Sequence, residues 1–267
     1  MKQIPNIFTL LNLFFGCLAI VFTLQTDAIN IYQGDALASS FSFPEKITYA
    51  SIFIGIAAIV DFLDGFVARL MKAESALGAQ LDSLSDVVSF GVAPAMILFQ
   101  MLRLSIMQDA NVFDTSIAWL LPAFLVPCAG AYRLARFNLD KSQQYGFKGL
   151  PIPAAGMFVA SLPLIAFYNY LDGAVNTLLF NKWVLYALII ILCYLMVSRL
   201  PLIALKFKEK GLKNNMPAVL LAIISILAAI FLKWLAVPVA IISYIAISLG
   251  TKKTPHDVYD RSEGNAA

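Results

Sequence analysis

Charged residues are scarce in this chain. Only 13% of its 267 residues are Asp, Glu, Lys or Arg, about half the share usual in soluble domains. Histidine occurs once, as His256 in the polar C-terminal stretch, which argues against a zinc site or a histidine base. The three cysteines, Cys17, Cys128 and Cys193, lie far apart in apolar runs. They show neither metal-ligand spacing nor a disulfide framework and read as small core hydrophobes. No soluble domain, low-complexity tract or clear internal repeat is visible. The net charge is only +3, and no nucleic-acid partner is expected.

What is abundant is apolar surface. Hydrophobic residues make up 60% of the chain and the mean hydropathy is +0.81, a composition that belongs in a membrane. Runs near twenty residues predict about eight membrane-spanning helices. They cover roughly 5–24, 46–71, 79–102, 116–136, 150–171, 183–200, 216–233 and 234–249. The fold class is therefore all-α and membrane-integrated. The last two runs abut so closely that they form a tight hairpin, or one of them is partial. Lys2 ahead of the apolar run 7–23 imitates a signal peptide, but no small-residue cleavage site follows, and the run reads as a retained first span. Pro122, Pro127, Pro163, Pro201, Pro217 and Pro238 fall in or beside spans and predict kinks or helix ends. The tail 251–267 is polar.

The few charges are unevenly placed. The connector 25–45 holds Asp27, Asp35 and Glu45 and no basic residue. The next connector has Arg69 and Lys72. The alternate ones beyond it carry Arg133, Arg136, Lys141 and Lys148 against Asp140, then Arg199, Lys206, Lys208, Lys210 and Lys213 against Glu209; the tail opens with Lys252 and Lys253. The positive-inside rule places both termini, and the 61–86 hairpin mouth, in the cytoplasm. The lysines 206–213 read as a loop facing lipid headgroups.

The stretch 61–86 organises the rest. Asp61, Asp64, Asp82 and Asp86 sit inside two apolar segments, where an ionised side chain costs several kcal/mol, roughly 2.5–3.5 on insertion scales. Asp61 and Asp64 are three apart, and Asp82 and Asp86 four apart, so each pair shares a helical face. A turn over 71–78 lets the two faces oppose each other. A divalent cation taking oxygen ligands is the natural compensation. Gly65, Ala68, Gly78 and Ala79 permit close approach of backbone or ligand. Arg69, at the mouth, has a planar fork suited to phosphate oxygens. Intramembrane acids also fit a cation- or proton-coupled transporter, but that reading leaves the glycines and Arg69 unexplained.

The pattern Asp61-x2-Asp64-Gly65-x2-Ala68-Arg69-x8-Gly78-x3-Asp82-x3-Asp86 resembles the signature of the CDP-alcohol phosphatidyltransferase family, with all eight fixed positions matched. The resemblance implies a six-helix core over about 1–200, followed by a basic loop and helical hairpin at 201–250 and the polar tail at 251–267. It implies Mg²⁺ or Mn²⁺ on Asp61, Asp64 and Asp82, with Asp86 as base, as ligand or as both. Gly65, Ala68, Arg69 and Gly78 would line the site of the CDP moiety. A homodimer in a bacterial-type inner membrane is implied as well, with membrane lipids around it and the site facing the cytoplasm.

The segments IPNIFTLLNL from Ile4, LDSLSDVVSFGVAPA from Leu81, RLARFN from Arg133 and GLPIPAAG from Gly149 are similar to serine-using members of the family. That implies CDP-diacylglycerol as donor and L-serine as acceptor. The same chemistry with glycerol phosphate, inositol phosphate or choline is the alternative. Arg133 and Arg136 either anchor the helix end at headgroups or bind a phosphate or the serine carboxylate. Asn6, Thr9 and Asn12 recur on one face of the first span. They either hydrogen-bond between helices or contact the nucleotide or the acidic hairpin.

Overall fold

Each of the eight apolar runs is helical. The structure, a computed structural model, describes residues 4–25, 30–33, 36–41, 45–73, 75–107, 116–139, 147–168, 173–202 and 216–250. Lys2, Asp27, Asp35, Asp140, Lys141, the basic stretch 206–213, Lys252, Lys253, His256 and the tail 251–267 lie outside those residues.

Helix α1 spans Ile4–Leu24 and α2 spans Glu45–Leu70. An antiparallel ribbon of β1 (Asn30–Gln33) and β2 (Ala36–Phe41) lies between them, in a connector with no such ribbon expected. Helix α3 (Ala76–Asp86) runs through a π-helical turn, Val87–Val92, into α4 (Ala93–Met107). Two 3₁₀ turns, Ile117–Trp119 and Leu121–Phe124, lead into α5 (Leu125–Leu139). Then come α6 (Ile152–Tyr168), a short α7 (Gly173–Leu179) and α8 (Lys182–Val197). A two-residue strand β3 (Phe147–Lys148) pairs with β4 (Pro201–Leu202). Helices α9 (Met216–Leu232) and α10 (Ala236–Gly250) form the final hairpin. The chain reverses there through a 3₁₀ turn, with Lys233 at φ +50°.

The third span is the central shaft. Its most apolar window is 67% buried, against 28% for the windows of α1 and α2. Ile97, Leu98, Met101 and Leu102 on α4 are fully enclosed, and α1, α2, α6 and α8 pack around that helix. Two polar contacts lock the shaft to its neighbours: Gln100 Nε2 donates to Thr23 O at 3.1 Å, and Ser105 Oγ donates to Phe180 O.

The outer faces are the inverse of a soluble surface. Phe14, Phe62, Phe66, Ile226 and Phe231 are all exposed. An apolar face is stable in that position only where the solvent is hydrocarbon. Four helical stretches, Pro5–Leu24, Glu45–Leu70, Ala76–Met107 and Met216–Gly250, are long and apolar enough to cross a bilayer, and α6 and α8 are shorter apolar helices. The protein is an integral membrane protein with an all-α architecture. The cysteines correct one expectation. Cys17 and Cys128 are exposed and so are not core residues, while Cys193 is half-buried and packs against the core. In a membrane protein an apolar run faces lipid as readily as core, and a small apolar side chain is at home on either side.

Prolines set several helix ends. Pro151 and Pro153 flank the start of α6, and Pro201 follows α8, trimming these helices to 17 and 16 residues. Pro94 has a subtler effect. It has no N–H to give Phe90 O, and the adjacent Ala93 N–H reaches back to Val88 O, the wider π pairing. Gly156 of α6 fits against this widened turn, where a Cβ would lie 2.8 Å from Phe90 O.

Gly149 turns the chain into α6 at φ +77°, and its N–H donates to Leu200 O at 2.9 Å. A Cβ there would lie 2.6 Å from Met196 O. Gly149→Ala is therefore expected to destabilise the fold by about 1–3 kcal/mol. Thermal unfolding in detergent should show this as a melting temperature lowered by several degrees.

Candidate active site

Asp61 and Asp64 project from the last third of α2, and Asp82 and Asp86 from α3. Ser75 starts α3 as its N-cap, its Oγ accepting from Gly78 N at 3.0 Å. That cap fixes where the second acidic pair begins its helical turn. Carboxylate oxygens of Asp61, Asp64 and Asp82 all lie within 4.8 Å of one another. Asp86 stands outside this triad, within hydrogen-bonding reach of Asp61. Asp64 and Asp86 are buried, while Asp61 and Asp82 are half-buried.

Helix α1 holds the two acidic helices in this relation. Thr9 Oγ1 donates to Asp64 Oδ2 at 2.8 Å. Asn12, fully buried, directs Nδ2 at both Asp61 Oδ1 and Asp86 Oδ1, each at 3.4 Å. The return contacts come from α3 and the π turn. Ser85 Oγ donates to Thr9 O at 3.1 Å and Ser89 Oγ to Asn12 O at 2.9 Å. Gly16 allows this closeness, since a Cβ there would lie 2.8 Å from Ser89 Cα. Of the two roles open to the polar face of the first span, Thr9 and Asn12 thus touch the acidic hairpin itself. The role of Ser85 and Ser89 was not anticipated. Their four-residue spacing beside Asp82 and Asp86 was the signal that could have shown it.

The other motif residues gather at one end of the acids. Arg69 folds back along α2, its Nη1 3.5 Å from where a Gly65 Cβ would sit. Across from it, Gly78 lies against Asn6, whose Oδ1 would be 3.2 Å from an added Cβ. Gly65, Ala68 and Arg69 lie in the last turns of α2, and Gly78 lies in the first turn of α3. On the far flank, Asn138 Nδ2 donates to Ser83 Oγ at 2.9 Å, tying the end of α5 to α3.

The two arginines of α5 part company. Arg133 is only 4% exposed; its guanidinium lies over the Phe137 ring at 5.9 Å and within electrostatic range of Asp86 and of Tyr244 on α10. Among the described residues its Nε has no hydrogen-bond partner. Arg136 points the other way, with Nη1 on Val197 O at 2.9 Å and Nη2 on Ser198 O at 3.1 Å, capping α8.

The donor set is all carboxylate oxygen. Like charges this close and this buried repel unless a cation lies among them. Hard oxygen donors at such spacing fit Mg²⁺ or Mn²⁺ rather than a soft metal. A polytopic helical membrane protein with a shared carboxylate centre is the class that fold and site define. Residues 2–192 match the family model described as CDP-alcohol phosphatidyltransferase, and the chain belongs to that family. Among curated relatives, the CDP-diacylglycerol–serine O-phosphatidyltransferase of Helicobacter pylori is 33% identical over 199 residues, 73% of this chain and 70% of the relative. The protein of the same name from Methanocaldococcus jannaschii is 39% identical over 156 residues, 58% of each chain. The archaetidylserine synthase of Methanothermobacter thermautotrophicus is 36% identical over 140 residues, 52% of this chain and 56% of the relative.

Asn12→Ala removes the donor shared by two carboxylates. It is expected to weaken Mn²⁺ binding by about 10–100-fold, the usual effect of losing a group that orients metal ligands. Asp82→Asn is expected to weaken it further. Titration calorimetry on the purified protein reads both, and unchanged affinity would remove these residues from a metal site.

Proposed function

We propose that this protein is a phospholipid-synthesising transferase that moves the phosphatidyl group of CDP-diacylglycerol onto L-serine, releasing CMP and forming phosphatidylserine. The observation that carries the reading is the convergence of Asp61, Asp64 and Asp82, with Asp86 within hydrogen-bonding reach of Asp61 and inside the field of a buried arginine. The names of the relatives from Helicobacter pylori and Methanocaldococcus jannaschii agree with it.

In this reading Asp61, Asp64 and Asp82, with Asp86 beside them, hold Mg²⁺ or Mn²⁺. The ion supplies neutralisation of the diphosphate charge. Gly65, Ala68 and Gly78 leave room for the CDP moiety, and Arg69 offers its fork to the phosphates. Arg133 receives the serine carboxylate: its guanidinium is buried and within electrostatic range of Asp86, and among the described residues its Nε has no hydrogen-bond partner. Arg136 points away from the acids and holds α8 in place through the Val197 and Ser198 carbonyls. Asp86 takes the proton of the serine hydroxyl as its oxygen attacks the phosphorus that carries diacylglycerol. The bond from that phosphorus to the bridging oxygen breaks, and CMP departs with the electron pair. Most of the barrier is lowered by positioning and charge stabilisation, as is general for transfer at phosphorus.

The charge distribution supports a site that opens to the cytoplasm from a bacterial-type inner membrane. A homodimer completes the reading, on family likeness.

CMP release by the purified protein is expected with CDP-diacylglycerol and L-serine together. With glycerol phosphate, inositol phosphate or choline it is expected to stay at background. Asp86→Asn should lower kcat by about 10²–10⁴-fold. Product with glycerol phosphate and none with serine would replace the acceptor and leave the chemistry. Full turnover in excess chelator would overturn the whole reading.

A further inference from the structure

Helix α5 crosses the π turn at close range: a Cβ on Gly91 would lie 3.3 Å from Pro127 Cα. Toward the end of α5 the chains part. α5 packs along the π turn and α8, whereas α3 and α5 share no extended contact among the described residues. A side-chain bond joins them again, Asn138 Nδ2 donating to Ser83 Oγ at 2.9 Å. Asp86 lies in the chain between Ser83 and the π turn, and Arg133 lies between Pro127 and Asn138. Both are buried, and they are within electrostatic range of each other. The acid and the arginine thus belong to two segments that are tied together on either side of them.

The bond is chemically matched. Ser83 Oγ donates its single proton to Ala79 O at 3.1 Å. Its lone pairs remain to accept, and an amide NH₂ is the complementary donor. Arg136, two residues before Asn138, binds Val197 O and Ser198 O. Residues two apart lie about 200° apart around a helix of about 3.6 residues per turn. The last turns of α5 are therefore held on opposite sides, by α8 and by α3. A helix held on both sides does not roll, and Arg133, about one and a half turns away from Asn138, keeps its direction with it. The Asn138–Ser83 bond lies at the surface, where water competes and the net contribution to stability is small. What it fixes is orientation.

We propose that Asn138 is a positioning residue for the acceptor: through Ser83 it fastens α5 to α3 and so sets the spacing between Arg133 and Asp86. The inference rests on the reading of Arg133 as the group that receives the serine carboxylate. In it, neither Asn138 nor Ser83 touches the acceptor.

The test is a double-variant cycle on the full-length protein, reading KM for L-serine, KM for CDP-diacylglycerol and kcat from CMP release. Asn138→Ala and Ser83→Ala are each expected to raise the serine KM about 3- to 10-fold, the scale of one hydrogen bond, with a smaller change in kcat and in the donor KM. Because KM does not depend on the fraction of folded protein, a loss of fold alone would leave it in place and lower only the apparent kcat. The double variant is expected to match the single ones, since either change breaks the same bond. Ser83→Thr keeps the hydroxyl and its bond to the preceding turn, and its serine KM is expected to stay within about twofold of the wild type. A serine KM unmoved in both alanine variants overturns the inference. So does a double variant whose effects multiply, because Asn138 would then act without Ser83. Absence of serine-dependent CMP release by the wild-type protein overturns the functional reading, and this inference with it.

Discussion

The structure depends on a pair of polar side chains in an otherwise apolar helix. Thr9 and Asn12 of α1 bind carboxylates from α2 and α3, and their own carbonyls are bound in return by Ser85 and Ser89. Four acids in a low-dielectric setting tend to spread apart or move toward water. The amide of Asn12 opposes that by offering one donor group to two of them. α1 also packs along both acid-bearing helices, so the geometry of the acids is inherited from helix packing and does not rely on the connector between them.

The acids were legible in the sequence because lipid makes charge expensive. Asp61, Asp64, Asp82 and Asp86 stood out against their surroundings, and their three- and four-residue spacings gave their faces directly. The eight helices were legible for the same reason, as runs of apolar residues. What escaped was anything decided by packing. Arg133 and Arg136 look equivalent in sequence, three residues apart on one helix. Their fates diverge because the end of α8 supplies carbonyls to one and the acidic site faces the other. Pro94 gave no sign of the π turn, since its effect comes from a missing donor within a continuous helix. Cys17 and Cys128 were misjudged because hydrophobicity in a membrane does not distinguish core from lipid.

The π turn links fold and site. It follows Asp86 directly, and Ser89 within it reaches α1 while Gly156 of α6 closes on its other side. A regular α-helix there would rotate Ser89 relative to Asp86 and lose one of these contacts. The irregularity thus lets one helix serve the acidic site at its start and the central core at its end.

The long sequence separations of the α1 contacts bear on how the chain is made. Asn12 meets partners 49, 74 and 77 residues downstream through its side chain and carbonyl. When α1 enters the bilayer during synthesis, none of those groups has yet left the ribosome. Its buried amide meets Asp61 only when the second span arrives, and Asp86 only with the third. The polar contacts of α1 are consequently complete only once the first three spans share the bilayer, so a first helix alone in lipid would carry its amide without them.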